Sequence, residues 1–239
     1  MKGRIIIFAV CWIVLVVSQT DNQLYNLPAK FHNLWHRNEI IEICEEIGLK
    51  TGVEVGVQRG VFSREVLKLW KSCDKYYLVD LWKQQDNYLD KANVANDVQE
   101  RYYQEALKNV AEFNKTVPIK AASVVAAKDF ADSSLDFVYL DARHDYCGVE
   151  EDILAWYPKL SLGGLMAGHD YLTAPEALRL SGMTEHWELC QNGSTLVGAV
   201  KGAVNDFAAA HGIRVFRTKD KPPSWFYSLK GRKPVSPKD

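Results

Sequence analysis

An α/β chain with a mostly parallel sheet and helices on both faces follows from three observations. Apolar, β-branched runs alternate with segments of helical periodicity along most of the sequence. Over Val53–Asp80 the order is strand, glycine turn, helix, strand, carboxylate, which is the pattern of a ligand-binding βαβ unit. Two later apolar runs also end on polar chemistry, at Asp141 and at His169-Asp170. Ligands of open α/β sheets lie beyond the carboxyl ends of the strands, so these ends form the candidate site.

The elements follow in chain order. Lys2 and Arg4 precede the uncharged run Ile5–Val17, and Ser18, Gln19 and Thr20 follow it. That is a charged n-region, a short h-region and a cleavage site after Ser18. Residues 1–18 are therefore expected to be a signal peptide, with an uncleaved signal anchor as the rival reading. The run falls short of the roughly 20 residues that span a bilayer. The expected location is the secretory pathway or outside the cell, with membrane attachment only in the anchor case. Residues 19–28 read as a linker, 29–230 as the folded domain, and the Pro- and Lys-rich 231–239 as a disordered basic tail.

Within the domain, Ala29–Ile47 is expected to be a helix, stopped at Gly48. Gly52–Val55 is the first strand. Phe62, Val66, Leu67 and Trp70 mark the helix after it, and Tyr76–Val79 the second strand. Trp82–Asn93 is polar and aromatic without periodicity. Val94–Phe113 carries a helical face, with Pro118 as the breaker, and Val117–Ala121 is a short third strand. Ser123–Phe130 is a short helix, Leu135–Leu140 the fourth strand, and Val149–Tyr157 a helix stopped by Pro158. Gly163-Gly164 is read as a turn into a fifth strand, Leu165–Gly168. Residues 171–195 show no pattern. Leu196–His211 is a helix of small apolar residues ending at Gly212. Ile213–Arg217 and Trp225–Leu229 close the chain as an antiparallel edge hairpin. The sum is a Rossmann-like sheet of seven strands.

Composition removes some classes of function. A net charge of −1 gives no support for a nucleic-acid partner, because phosphate-binding surfaces need a basic excess. Cys11 would leave with the signal. Cys44, Cys73, Cys147 and Cys190 remain, with no C-x-x-C pair, which argues against a structural zinc site. One or two disulfides and scattered buried thiols both fit. Asn114-Lys115-Thr116 and Asn192-Gly193-Ser194 are glycosylation sequons.

The chemistry sits in three motifs. Glu54-x-Gly56-x-x-x-Gly60 is a glycine turn that lets backbone approach a ligand ahead of a helix N-terminus. Asp80, twenty positions after Gly60, ends the next strand, where a carboxylate can accept ribose hydroxyls. The spacing lacks the third glycine of a G-x-G-x-x-G fingerprint, so NAD is the weaker choice. Asp141-Ala142-Arg143-His144 and His169-Asp170 then place carboxylates and imidazoles around one spot. Oxygen ligands from Asp141 and Asp170 suit Mg²⁺, and His144 suits a general base.

With VEVGVQRGVFSREVL, YYLVD and LDFVYLDARHDYCGVEEDILAWYPKLSLGGLMAGHDY, the chain resembles class I S-adenosylmethionine-dependent methyltransferases. In particular it resembles the group related to the macrocin and mycinamicin sugar O-methyltransferases. The resemblance spans about residues 30–230. It implies that Glu54, Gly56 and Gly60 line the methionine side of S-adenosylmethionine, that Asp80 holds the ribose, and that Ala122-Ser123 lies near the adenine. It implies a metal at Asp141 and the 169–170 positions, with Asp141 also bordering the cofactor and His144 as the base. The chain departs from the pattern at His169, where a second acid is expected. An imidazole there favours another divalent metal over Mg²⁺.

The expected activity is O-methylation of a small-molecule or sugar hydroxyl. Acceptor choice would lie in Trp82–Asn93 and Tyr171–Thr195, whose Trp82, Tyr171 and Trp187 can form an aromatic wall together with Tyr146. Two other readings stay open. One is a cofactor-binding or catalytically lapsed protein of the secretory pathway. The other is an oxygenase-like relative with iron at His169 and Asp170.

Overall fold

The computed structural model describes residues 29–182 and 186–229. The expected signal segment, linker and basic tail lie outside them. Seven strands form one sheet: β1 (Thr51–Val55), β2 (Lys75–Asp80), β3 (Thr116–Lys120), β4 (Leu135–Leu140), β5 (Leu160–Gly168), β6 (Phe216–Arg217) and β7 (Trp225–Ser228). Their spatial order is β3-β2-β1-β4-β5-β7-β6. β1 to β5 pair in parallel, β7 runs antiparallel to β5, and β6 antiparallel to β7. The expected sheet and edge hairpin are both present.

The helices are α1 (Asn38–Glu46), α2 (Val61–Leu69), α3 (Asn96–Val110), α4 (Ser123–Ala126), α5 (Tyr146–Trp156), α6 (Ala174–Leu180) and α7 (Ala199–His211). Alternation along the strands divides the core in two. Phe137 and Tyr139 of β4 face α1, α2 and α3, together with Tyr76, Ile40, Phe62 and Ala106. Val138 and Leu140 face α4, α5 and α7, together with Val53, Ile153, Trp156 and Val204. Trp70 and Trp156 are fully buried, one in each half. By area, each stabilises the fold by up to roughly 4–6 kcal/mol.

Several boundaries differ from the sequence expectation for local reasons. The N-terminal helix breaks into a 3₁₀ turn, Ala29–Asn33, and α1. Glu39 Oε1 accepts the N–H groups of Trp35 and His36, each at 2.9 Å, so α1 is capped from inside the sequence once read as continuous helix. α3 ends at Val110, before Pro118, which lies inside β3. β3 is an edge strand, where a missing N–H is tolerated. Gly163-Gly164 is not a turn: both lie within β5, beside a register shift against β4. A Cβ on Gly164 would approach the Asp136 carbonyl to 2.9 Å, which accounts for glycine there.

The stretch 171–195 is not wholly irregular, because it contains α6. Thr173 and Glu176 form a capping box at its start, a signal present in T-A-P-E. α5 starts at Tyr146, capped by Asp145, which accepts from the Gly148 N–H at 3.0 Å. β6 keeps only two residues of its expected five-residue run. Cys147 is bonded to Cys190, while Cys44 and Cys73 are free and buried. Among the described residues no helix is long and apolar enough to cross a membrane.

Candidate active site

The site begins where β1 and β4 end side by side. The Asp141 N–H donates to the Val55 carbonyl at 2.7 Å, and the Gly56 N–H to the Val79 carbonyl at 2.9 Å. Gly56 has φ +93°, and a Cβ there would lie 1.9 Å from the Asp141 carbonyl oxygen. Only glycine fits this crossing, so the first glycine of the motif is a joint between strands as well as a turn.

Asp80 fastens the loop that follows. Its Oδ2 accepts from the Val57 and Gln58 N–H groups at 2.9 and 2.8 Å, and its Oδ1 from the Trp82 N–H at 2.7 Å. The Trp82 indole N–H donates back to the Gln58 carbonyl at 2.7 Å. Gln58 and Trp82 both have positive φ, +51° and +41°. Such backbone is uncommon for a bulky residue and persists where surrounding bonds hold it. Burial pushes the Asp80 pKa up, against these backbone N–H bonds, which favour the carboxylate.

Two clefts flank this joint. One, of about 160 Å³, is lined by Asp80, Ala122, Ser123, Tyr88 and Asp152. The other, of about 410 Å³, is lined by Glu54, Asp90, His144, His169, Asp170 and Trp187. Gly56, Gln58, Ala92, Asp141 and Ala142 border both. The structure therefore brings together Gly56, Asp80, Ala122, Ser123 and Asp141 on one side. It gathers Glu54, Asp141, His144, His169 and Asp170 on the other. Gly60 borders neither cleft. With φ +67° it starts α2 against α3, where a Cβ would come within 2.9 Å of the Ala106 Cα.

His144 lies at the centre of the larger cleft. Its Nδ1 faces Asp90 Oδ2 at 2.9 Å. Its Nε2 faces Asp170 Oδ2 at 3.3 Å and Asp141 Oδ1 at 3.4 Å. An ionised carboxylate only accepts, so Nδ1 carries the proton toward Asp90 and Nε2 is directed at the other two acids. Asp90 is itself fixed by the Trp187 indole N–H at 2.8 Å and the Ala92 N–H at 2.7 Å. Burial opposes a charge on His144, but Asp170, Asp141 and Asp90 outweigh it and raise its pKa well above the ordinary imidazole value. Burial likewise works against the Asp90 carboxylate, yet the hydrogen bond and charge of His144 bring it down to about 2.

His169 turns its Nδ1 to Asp170 Oδ1 at 3.2 Å and lies 3.9 Å from Asp141 Oδ1. Burial lowers its pKa, and the Asp141 and Asp170 charges raise it by more. Asp170 adopts φ +53°, which an Asp tolerates and which brings its carboxylate beside both imidazoles. Arg37 Nη1 is 3.9 Å from Asp141 Oδ2, with its guanidinium 4.2 Å from the centre of the Phe62 ring. Asp141, His144 and Asp170 each offer an atom suited to a cation, all within 4.8 Å of one another. Two carboxylates and an imidazole nitrogen converging in this way fit a divalent cation. The imidazole within this group is His144, and His169, the imidazole expected from the sequence, stands beside the same two acids.

Glu54 is buried beneath this centre, and the Tyr76 hydroxyl donates to its Oε2 at 3.2 Å. Burial pushes its pKa from 4.5 to about 8. The folded state then keeps a proton that the unfolded chain loses, so Glu54 makes stability fall as pH rises from about 4.5 to about 8. Glu54→Gln is expected to flatten that slope by about 1.4 kcal/mol per pH unit, read from urea unfolding across the window. An unchanged slope would show that Glu54 is already ionised when folded.

Asp90 and Arg37 escaped sequence reasoning. Asp90 sits in W-K-Q-Q-D-N-Y-L-D-K-A-N, where periodicity is absent and five other acids or amides stand beside it. Only a long-range contact singles it out: the His186 N–H donates to the Leu89 carbonyl at 3.0 Å, and Asn87 donates to the Gln191 carbonyl. The two patternless stretches thus meet over His144, with the Cys147–Cys190 bond tying one of them to α5.

Residues 53–171, close to half the chain, match a family model described as a methyltransferase domain. No curated protein sequence matches the chain. A solved protein from Corynebacterium glutamicum is similar in fold, with TM-score 0.55, 12% identity and 82% of each chain covered. A candidate caffeoyl-CoA O-methyltransferase from Staphylococcus aureus gives 0.55 and 13%, over 81% of this chain and 82% of that one. An O-methyltransferase family protein from Burkholderia thailandensis gives 0.56 and 10%, over 82% of this chain and 56% of that one. At these identities the likeness is one of fold. Residues 53–171 match a methyltransferase domain, and the seven-stranded sheet has the Rossmann-like fold shared with these solved proteins, two of them described as O-methyltransferases.

Proposed function

We propose that the protein transfers a methyl group from S-adenosylmethionine to a hydroxyl of a small molecule or sugar. The observation that carries this reading is the pair of clefts meeting at Gly56 and Asp141, one lined by Asp80 and Ser123, the other by His144 and Asp170. In this reading the cofactor lies over Gly56, with its ribose at Asp80 and its adenine near Ala122-Ser123. The acceptor hydroxyl enters the larger cleft. His144 takes the hydroxyl proton at Nε2, while Asp90 holds Nδ1–H and so fixes the ring and stabilises the imidazolium. The freed oxygen attacks the methyl carbon, and the methyl–sulfur bond breaks to leave the neutral thioether. Alignment of the two reactants supplies much of the acceleration.

Asp141 and Asp170 would hold a divalent cation, with His169 beside them. Bound there, the cation would lower the pKa of the acceptor hydroxyl. One nitrogen cannot both bind a cation and take a proton, so the base role requires His144 Nε2 to stay off the metal. The Cys147–Cys190 bond supports residence in the oxidising secretory pathway, as the proposed signal segment 1–18 also does.

A cofactor-binding protein without catalysis is the second reading. It is favoured by the three backbone bonds already made to Asp80, which leave fewer lone pairs for a ribose. Calorimetry with S-adenosylmethionine, with and without Mg²⁺, followed by mass spectrometry of sugar and phenol acceptors, separates the readings. Stoichiometric binding and a methylated hydroxyl are expected. Folded protein that binds no cofactor would end both.

A further inference from the structure

A second groove, of about 840 Å³, adjoins the cleft of His144 and shares Leu172 and Leu180 with it. Five exposed cations line it: Arg179, Arg214, Arg217, Lys219 and Lys221. Its two acids are already engaged. Glu176 accepts from the Thr173 N–H at 2.8 Å and pairs with Lys201 at 3.1 Å. Asp220 accepts from the Arg37 N–H at 3.2 Å and from the Thr218 hydroxyl. Among the described residues, none of the five cations pairs with an acid.

This excess is local, since the whole chain carries a formal charge of −1. A concave surface lined by one sign of charge concentrates its field on an incoming counter-ion. Part of the groove is also preorganised. The Arg214 guanidinium lies 4.8 Å from the Phe216 ring centre, and His32 stacks on the same ring at 4.7 Å. A guanidinium steadied on an aromatic face loses little freedom when it takes a carboxylate or sulfate in two-point contact. The groove has about twice the volume of the reaction cleft, 840 against 410 Å³, so an acceptor reaching both is larger than the unit that is methylated.

We propose that this groove binds the acidic part of the methyl acceptor, an anionic saccharide whose carboxylate or sulfate groups lie against Arg214 and Arg217 while a hydroxyl reaches His144. The proposal rests on the methyl-transfer reading for the hydroxyl end only. It turns a general hydroxyl acceptor into a charged one and assigns the groove as the element that selects it.

The test is calorimetry on the full chain with three disaccharides of one backbone: sulfated, uronic-acid-bearing and neutral, with free sulfate as a fourth probe. The acidic sugars are expected to bind at least 10-fold more tightly than the neutral one, with the difference shrinking as salt is raised. The double reversal R214E/R217E is expected to weaken the acidic sugars at least 10-fold. Reversal at the exposed, remote Lys108 of α3, K108E, is expected to leave them unchanged. S-adenosylmethionine affinity serves as the check on folding in each variant. Equal binding of neutral and acidic sugars, no effect of R214E/R217E, or free sulfate binding as tightly as the sulfated sugar would each overturn the proposal. Acidic-sugar binding without cofactor binding would keep the groove and remove the methyl-transfer reading. Cofactor binding with no preference for acidic sugars would do the reverse.

Discussion

Replacing His144 with asparagine is expected to lower kcat for methyl transfer about 10³-fold while leaving S-adenosylmethionine affinity within about twofold. The imidazole borders the larger cleft, proposed to take the acceptor, and not the smaller cleft of Asp80 and Ser123, so removing it should spare cofactor binding. Its loss removes the proposed proton acceptor and leaves Asp90, Asp141 and Asp170 without the group they converge on. A base works when deprotonated, so wild-type kcat/KM should rise with pH through the His144 titration, and the variant should lose that limb. A rate loss under about 10-fold, with the pH limb intact, would take His144 out of proton transfer.

The same substitution has a cost in stability whose sign is fixed by the raised pKa. A histidine that is easier to protonate when folded contributes stability that is complete below the ordinary imidazole pKa of about 6.5. That contribution fades as pH rises through the raised, folded-state value. Thermal unfolding of wild type and variant should therefore differ most at mildly acid pH and converge under alkaline conditions. Rates are best compared well below both melting points.

Gly56→Ala is expected to destabilise the fold by more than about 3 kcal/mol, lowering Tm by roughly 6–12 °C in a domain of this size. The added methyl would have to occupy space 1.9 Å from the Asp141 carbonyl oxygen, on a backbone with φ +93° that L residues rarely adopt. Backbone must then move, and the backbone concerned carries Asp141. Both clefts should suffer, because Gly56 and Asp141 border each of them. Gly182→Ala provides the control. It also has positive φ, +67°, yet nothing lies within 4 Å of its Cβ position. Its expected cost is only the conformational term, about 1–2 kcal/mol. Equal Tm losses in the two variants would show that the β1–β4 crossing is not what Gly56 serves.

Much of the sheet was legible because its physics is local. Strands buried on both faces must be nearly continuous apolar runs, and Leu135–Leu140 reads as β4 without adjustment. Boundaries governed by distant partners were not legible. Glu39 caps the N–H groups of Trp35 and His36 inside an unbroken apolar periodicity. Gly163-Gly164 follows turn chemistry, yet pairing with β4 holds it in a strand. α6 carries a capping box at Thr173 and Glu176, but the sequence around it lacks the helical periodicity that would mark a helix.

The site divides along the same line. Glu54, Gly56, Asp80, Asp141, His144 and Asp170 stand at strand ends or just beyond them, and strand order alone sends strand ends to one edge of the sheet. By itself the sequence determined the sheet, its ligand-binding edge and most of the polar groups there. Tertiary structure decided which of them touch. It withdrew Gly60 to a helix contact, seated His144 as well as His169 beside the two acids, and brought Asp90 from a loop fifty-four positions away to hold the ring. The reason is that period and spacing act over a few residues, whereas a carboxylate on a patternless loop is placed by packing and by Trp187, a partner ninety-seven positions further along the chain.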